Sequence, residues 1–243
     1  MKISVSLFFF AALFCCKQVL SQNTEKNDIA DLQVQKVVDL YNNYNKDEAP
    51  VYNGQAYIFY IMKMEGSPFF KSGHFSKGWI NYKGRKYDSL QLIYDITRNE
   101  LVTLYPDNRS SIVIQNQFVD SFSLLGHTFI SLEEDHKQNL YNSGFYDLLY
   151  DGKIQFLERH SETLLPVIQG DILVTKFVNH NRFYIHKNGL YYLVSNKKDI
   201  FHVFEDKLRE LKKMMRRNHI KMRRKNFETT ATKVTSFYDQ LTH

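Results

Sequence analysis

Proline and glycine are scarce in this chain, 4 and 10 of 243 residues, and its only cysteines are Cys15 and Cys16. The shortage of proline and glycine excludes collagen-like and linker-rich designs. The cysteine distribution excludes a disulfide framework, a thiolate metal site and a cysteine nucleophile anywhere after residue 16. Long hydrophobic runs are also missing. The most apolar stretch, residues 3–16, is short of the ~20 residues that cross a bilayer. Lys2 precedes it and Val19-Leu20-Ser21 follows it, which is the layout of a cleavable export signal over 1–21. Phe14 stands directly before Cys15, where a lipoprotein signal wants a small residue, so lipidation is not expected. After cleavage no transmembrane segment is expected.

Catalytic signatures are absent as well. There is no phosphate loop, no GxGxxG, no GxSxG elbow and no zinc-protease helix motif. The nine histidines are dispersed. His180 and His186 flank one predicted strand without a third ligand, so they read as hairpin residues, and neither a metal nor a cofactor is expected. Paired carboxylates can converge from distant strands, and Asp88, Asp95, Asp147 and Asp151, each preceded by tyrosine, are the candidates for acid–base work. Asp151 in a turn and Asp95 at a strand end also have backbone reasons for being aspartate.

What is present is aromatic and β-branched. Aromatic residues make up 15 % of the chain, enough for a sizeable core. Residues 22–50 carry a short helix around 28–41, ended before Pro50. Residues 51–194 alternate short strand-like runs with turn residues, the pattern of an antiparallel meander, with predicted strands at 55–62, 78–82, 87–95, 100–104, 111–115, 118–124, 127–132, 145–150, 154–159, 172–178, 182–186 and 190–194. Asp151-Gly152 and Asn188-Gly189 match type I′ hairpin turns, and Lys83-Gly84 a related one. Residues 195–243 predict two helices: one from a Ser195 cap to about 217, and one over 227–241. The expected fold is α+β: a short N-terminal helix, an antiparallel sheet curved into a roll or partial barrel, and two C-terminal helices packed on it.

Charge is uneven. Residues 22–206 hold 19 Lys and Arg against 23 Asp and Glu, whereas 207–225 hold 10 against the single Glu210. On the long helix, Ile200, Val203, Phe204, Leu208, Leu211, Met214 and Met215 fall on one arc, with Arg209, Lys212, Lys213, Arg216 and Arg217 opposite. This basic face reads as a solvated surface, as a self-docking face paired with the acidic body, or as a site for an anionic partner, either an envelope surface or an acidic protein. A nucleic-acid partner is not expected, because the charges lack interleaved stacking aromatics and export removes the chain from most nucleic acid.

Several segments form a recognisable series: Gly66-Ser-Pro-Phe-Phe70, Leu92-Ile-Tyr-Asp95 with Asn99-Glu-Leu-Val102, Val119-Asp-Ser-Phe122 with Leu125-Gly-His127, Gly144-Phe-Tyr-Asp-Leu-Leu-Tyr-Asp-Gly-Lys153, Arg182-Phe-Tyr-Ile185, Lys207-Leu-Arg-Glu-Leu211 and Phe237-Tyr-Asp-Gln-Leu241. Through them the chain resembles a group of secreted proteins of Bacteroidota to which no activity is attached. The resemblance implies the periplasm or the outer-membrane surface and supplies no active site. The function expected is a non-enzymatic, envelope-associated binding protein acting through its basic C-terminal face. A carrier of a hydrophobic ligand in a curved-sheet cavity, and a carboxylate-dependent hydrolase, are the alternatives.

Overall fold

The computed structural model describes residues 49–60, 64–107 and 109–242. The expected export signal over 1–21 and the helix expected around 28–41 lie outside the described residues.

The strands are β1 (Gln55–Ala56), β2 (Met64–Glu65), β3 (Ser76–Tyr82), β4 (Arg85–Asp95), β5 (Glu100–Leu104), β6 (Ser111–Val113), β7 (Val119–Leu124), β8 (His127–Leu132), β9 (Gly144–Tyr150), β10 (Gln155–Arg159), β11 (Glu162–Gln169), β12 (Ile172–Asn179), β13 (Arg182–Lys187) and β14 (Leu190–Val194). Eleven of them form one antiparallel sheet in the order β1-β6-β5-β4-β3-β7-β8-β9-β10-β13-β14. Its edges β1 and β14 do not pair, so the sheet is open and not a closed barrel. Most neighbours are consecutive in sequence, as short hairpin connections require. The order departs from a simple meander at three places, where β1 pairs with β6, β3 with β7 and β10 with β13.

Two turns behave as their dipeptides demand. Lys83-Gly84 has φ of 52° and 70°, and Asn188-Gly189 has 53° and 75°, the doubly left-handed backbone of type I′. Asp151-Gly152 does not. The chain between β9 and β10 is a longer loop, and Gly152 is needed for space: a Cβ there would sit 2.3 Å from a carboxylate oxygen of Asp239. Of the predicted strand 55–62, residues 61 and 62 lie outside the described residues, and within 55–60 only the two residues of β1 are strand. Conversely β11, which contains Pro166, is not among the predicted strands. Proline is tolerated there because β11 is an edge strand of a separate sheet ordered β11-β12-β2.

Three helices close the chain: α1 (Lys197–Val203), α2 (Leu208–Arg217) and α3 (Phe227–Leu241). The single helix expected up to residue 217 is thus divided. The cap is Asn196 rather than Ser195, in a capping box with Asp199. The division comes at Phe204, which is fully buried and stacks on Tyr238 with ring centroids 4.1 Å apart. The Lys187 ammonium donates to the Val203 carbonyl at 2.9 Å and to the Asp206 carboxylate at 3.0 Å. Tertiary partners thus satisfy groups that a continuous helix would have used internally. The predicted apolar arc docks nonetheless. Ile200, Phe204, Leu211 and Met215, with Phe227, Ala231, Val234 and Tyr238 of α3, cover Phe156, Ile185 and Val194 of the sheet.

Further along the sheet the core is aromatic. Phe122 and Phe129 stack at 4.7 Å, and Tyr94 and Phe145 meet Phe122 edge-on at 5.6 and 5.0 Å. On the opposite face Leu140, Tyr146, Leu157, Tyr184 and Tyr191 form a second cluster.

Candidate functional site

The basic face is built by α2. Leu211 and Met215 anchor the helix on α3 and the sheet, which turns Arg209, Lys212, Lys213, Arg216 and Arg217 outward, and all five are exposed. Among the described residues, none of the five forms an ion pair with a carboxylate; the lysines that do are Lys86, Lys176 and Lys187. The self-docking reading finds no ion pair among the described residues. Arg216 and Arg217 sit in the last turn, where cations also favour the helix dipole.

Beside this face α1, α2 and the turn after α2 enclose an open groove of about 540 Å³. Phe201, Met215 and Ile220 supply its apolar surface, and Lys197, Lys212, Arg216 and Lys221 its charged rim. The ammonium groups of Lys197 and Lys212 lie 5.0 and 5.8 Å from the Phe201 ring centroid. A concave apolar floor ringed by cations suits an amphiphilic anion, one with a charged head and a hydrocarbon body.

A second polar constellation is internal. In β9 and β10, Asp147 lies directly opposite Glu158, which brings both carboxylates to one face of the sheet. They are 1 % and 3 % exposed. Asp147 Oδ2 is 2.7 Å from His127 Nδ1 and 3.2 Å from His160 Nε2, and His160 Nδ1 is 3.5 Å from Glu158 Oε1. Asn181 Nδ2 donates to Glu158 Oε1 at 2.6 Å, and His127 Nε2 is in contact with the Lys71 ammonium. Phe70 covers the two imidazoles, with ring centroids 5.1 and 4.8 Å away. Burial pushes the Glu158 carboxyl up to about 7; the acidic Glu228 and Asp147 add to this, while His160 and the Asn181 hydrogen bond oppose it. Asp147, Glu158 and His160 each offer a metal-ligating atom within 4.8 Å of the others. These atoms already serve one another, so the arrangement reads as a satisfied internal network that a divalent cation would have to open.

The four tyrosine-preceded aspartates are not brought together. Asp88 is exposed and pairs with Lys86. Asp151 accepts from Gln155 in its loop. Asp95 is fully buried but committed, accepting from the Tyr57 and Tyr60 hydroxyls at 2.7 and 3.0 Å and from the Thr97 and Arg98 amides at 2.9 Å. Of the four, Asp147 is the one that meets a second carboxylate and two imidazoles. His180 bonds Thr163, and His186 stacks on Tyr191 at 4.4 Å with burial lowering its pKa, so the two are separate hairpin residues.

Comparison of the chain with family models, with curated proteins and with solved structures finds no match. The internal network was missed from sequence, since Glu158, His127 and His160 stand in no motif spacing. Phe70, His127 and Asp147, from residues 66–70, 125–127 and 144–153, meet in it.

Proposed function

We propose that this chain is an exported, envelope-associated binding protein that attaches to an anionic surface through the basic face of α2 and the adjoining groove. The observation that supports this most is the set of five exposed cations that have no carboxylate partner among the described residues, beside a groove with an apolar floor. An ordinary solvated face has the charge but not the apolar recess within it. Export rests on the Lys2, apolar and Val19-Leu20-Ser21 pattern of the first 21 residues. Nonenzymatic binding is favoured over carboxylate hydrolysis because Asp88, Asp95 and Asp151 lie apart and Asp147 is enclosed by its own partners. The carrier reading has less support, since ring-on-ring packing of Tyr94, Phe122, Phe129 and Phe145 fills one face of the sheet.

The test is co-sedimentation with phosphatidylcholine vesicles with and without phosphatidylglycerol. Near an anionic membrane each basic residue contributes about 1 kcal/mol, so reversing Lys212, Lys213, Arg216 and Arg217 to Glu should lower partitioning by roughly three orders of magnitude. Thermal unfolding should change little. Association of the reversed variant at the wild-type level, or equal association with neutral vesicles, removes the basic face from the account.

A further inference from the structure

Arms β11 and β12 form the part of the molecule least explained by folding. Ile168, Ile172 and Leu173 near its tip are 77 %, 68 % and 68 % exposed, and Leu165 is 50 % exposed. Register shows how they are arranged. Ile168 lies opposite Leu173, so these two share one face; Val167 lies opposite Val174, and with Ile172 they occupy the other. The tip is therefore apolar on both sides, whereas a half-buried hairpin has one apolar and one polar face. Near its root β2 adds a third strand, parallel to β12, at Thr175 and Lys176; among the described residues no strand lies beside the two arms beyond that point. Three residues per arm lie between that pairing and the turn at Gly170-Asp171, about 10 Å of strand.

The position of this arm in the fold is equally telling. β10 and β13 end at the Arg159–Arg182 pair, and the hairpin leaves the large sheet there. Val194, the last residue of β14, lies opposite Phe183, so the chain enters α1 at the same end of the sheet and places Lys197 there. The ring of Phe227, which opens α3, meets Phe183 at 5.1 Å, so the stretch holding Lys221, Arg223, Arg224 and Lys225 arrives at this end too. The apolar arm thus rises from the end of the sheet where the basic segment gathers.

We infer that the β11–β12 tip is a membrane-contacting arm, inserted into the interfacial region of an anionic lipid bilayer while the cations around its root engage the headgroups. The inference rests on the anionic-surface reading above and names its partner. Two observations favour a bilayer. The tip is apolar on both faces, and a fluid acyl boundary covers both together. The ~10 Å of strand also matches the ~5–10 Å depth to which peripheral elements enter the headgroup and acyl boundary. Asp171 at the turn opposes deep entry, which keeps the contact peripheral and reversible.

Three variants of the full chain test this against phosphatidylcholine–phosphatidylglycerol vesicles. Ile168→Asp with Leu173→Asp should weaken partitioning about a hundredfold, since it removes two apolar side chains and adds charge. Asp171→Asn should strengthen it severalfold. Ile168→Trp, read as the difference from the wild type with its single Trp79, should show blue-shifted emission on vesicle addition. If the Ile168 and Leu173 variant binds like wild type and the introduced indole does not shift, while charge reversal on α2 still abolishes binding, the arm is not inserted but the basic-face reading stands. If no form binds vesicles, that reading itself fails. If the Ile168 and Leu173 variant instead turns a dimer into a monomer with vesicle binding unchanged, the arm is a contact between copies of this chain and the bilayer inference is overturned.

Discussion

Asp147 and Arg216 are both ionisable, yet the molecule treats them in opposite ways. Asp147 is enclosed between β8 and β10 with two imidazoles on one oxygen, whereas Arg216 is exposed on α2 and donates to the backbone of its own helix. The difference separates charge that holds a fold together from charge left for a partner. An enclosed carboxylate loses its hydration and must recover it from fixed neighbours. An exposed guanidinium loses nothing, contributes little to folding, and keeps its field available over about a Debye length of 10 Å.

The comparison breaks most sharply at Asp147. Replacing it with alanine leaves His127 and His160 facing each other without their shared acceptor, and urea unfolding should show a loss of about 3–5 kcal/mol. A loss below about 1 kcal/mol would place Asp147 with the exposed charges instead. Glu158 gives an intermediate effect that depends on pH. Its folded pKa is about 7 against the ordinary 4.5, so between these values the native state holds a proton that the unfolded chain has released. Stability is therefore lost as pH rises through this window, by roughly 3 kcal/mol, and the loss is complete above it. Glu158→Gln should remove that slope and exceed the wild type in stability at alkaline pH; a parallel pH profile would show that Glu158 is already ionised in the fold. The smallest effect is expected at Asp88, whose pair with Lys86 is exposed on both sides. Its replacement by alanine should change the unfolding free energy by less than about 0.5 kcal/mol, and a larger change would mean that surface pairs also hold this sheet.

Legibility from sequence follows the same division. The α2 face could be read directly, because amphipathic periodicity encodes which arc docks, and Leu211 and Met215 are buried while the five cations are exposed. Asn188-Gly189 was legible because few dipeptides tolerate two left-handed residues in succession. Asp151-Gly152 carried the same local signal, but the glycine there answers a neighbour 87 residues away in sequence, Asp239. Likewise β11, which is not among the predicted strands, contains Pro166, whose cost depends on whether its strand is at an edge, and edge position is a property of the sheet. The break at Phe204 was hidden because Lys187 and Tyr238, not the helix sequence, supply the competing partners.

By itself, then, the order of residues determined the class of fold, most strand positions and the outward cationic arc, since each is written in spacings of two to four residues along one segment. Only the tertiary structure decided that Glu158 would meet Asp147 and that the basic stretch would reach the end of the sheet from which β11 and β12 leave. Those meetings depend on strand register and on which end of a sheet a chain leaves from, and no local pattern carries either.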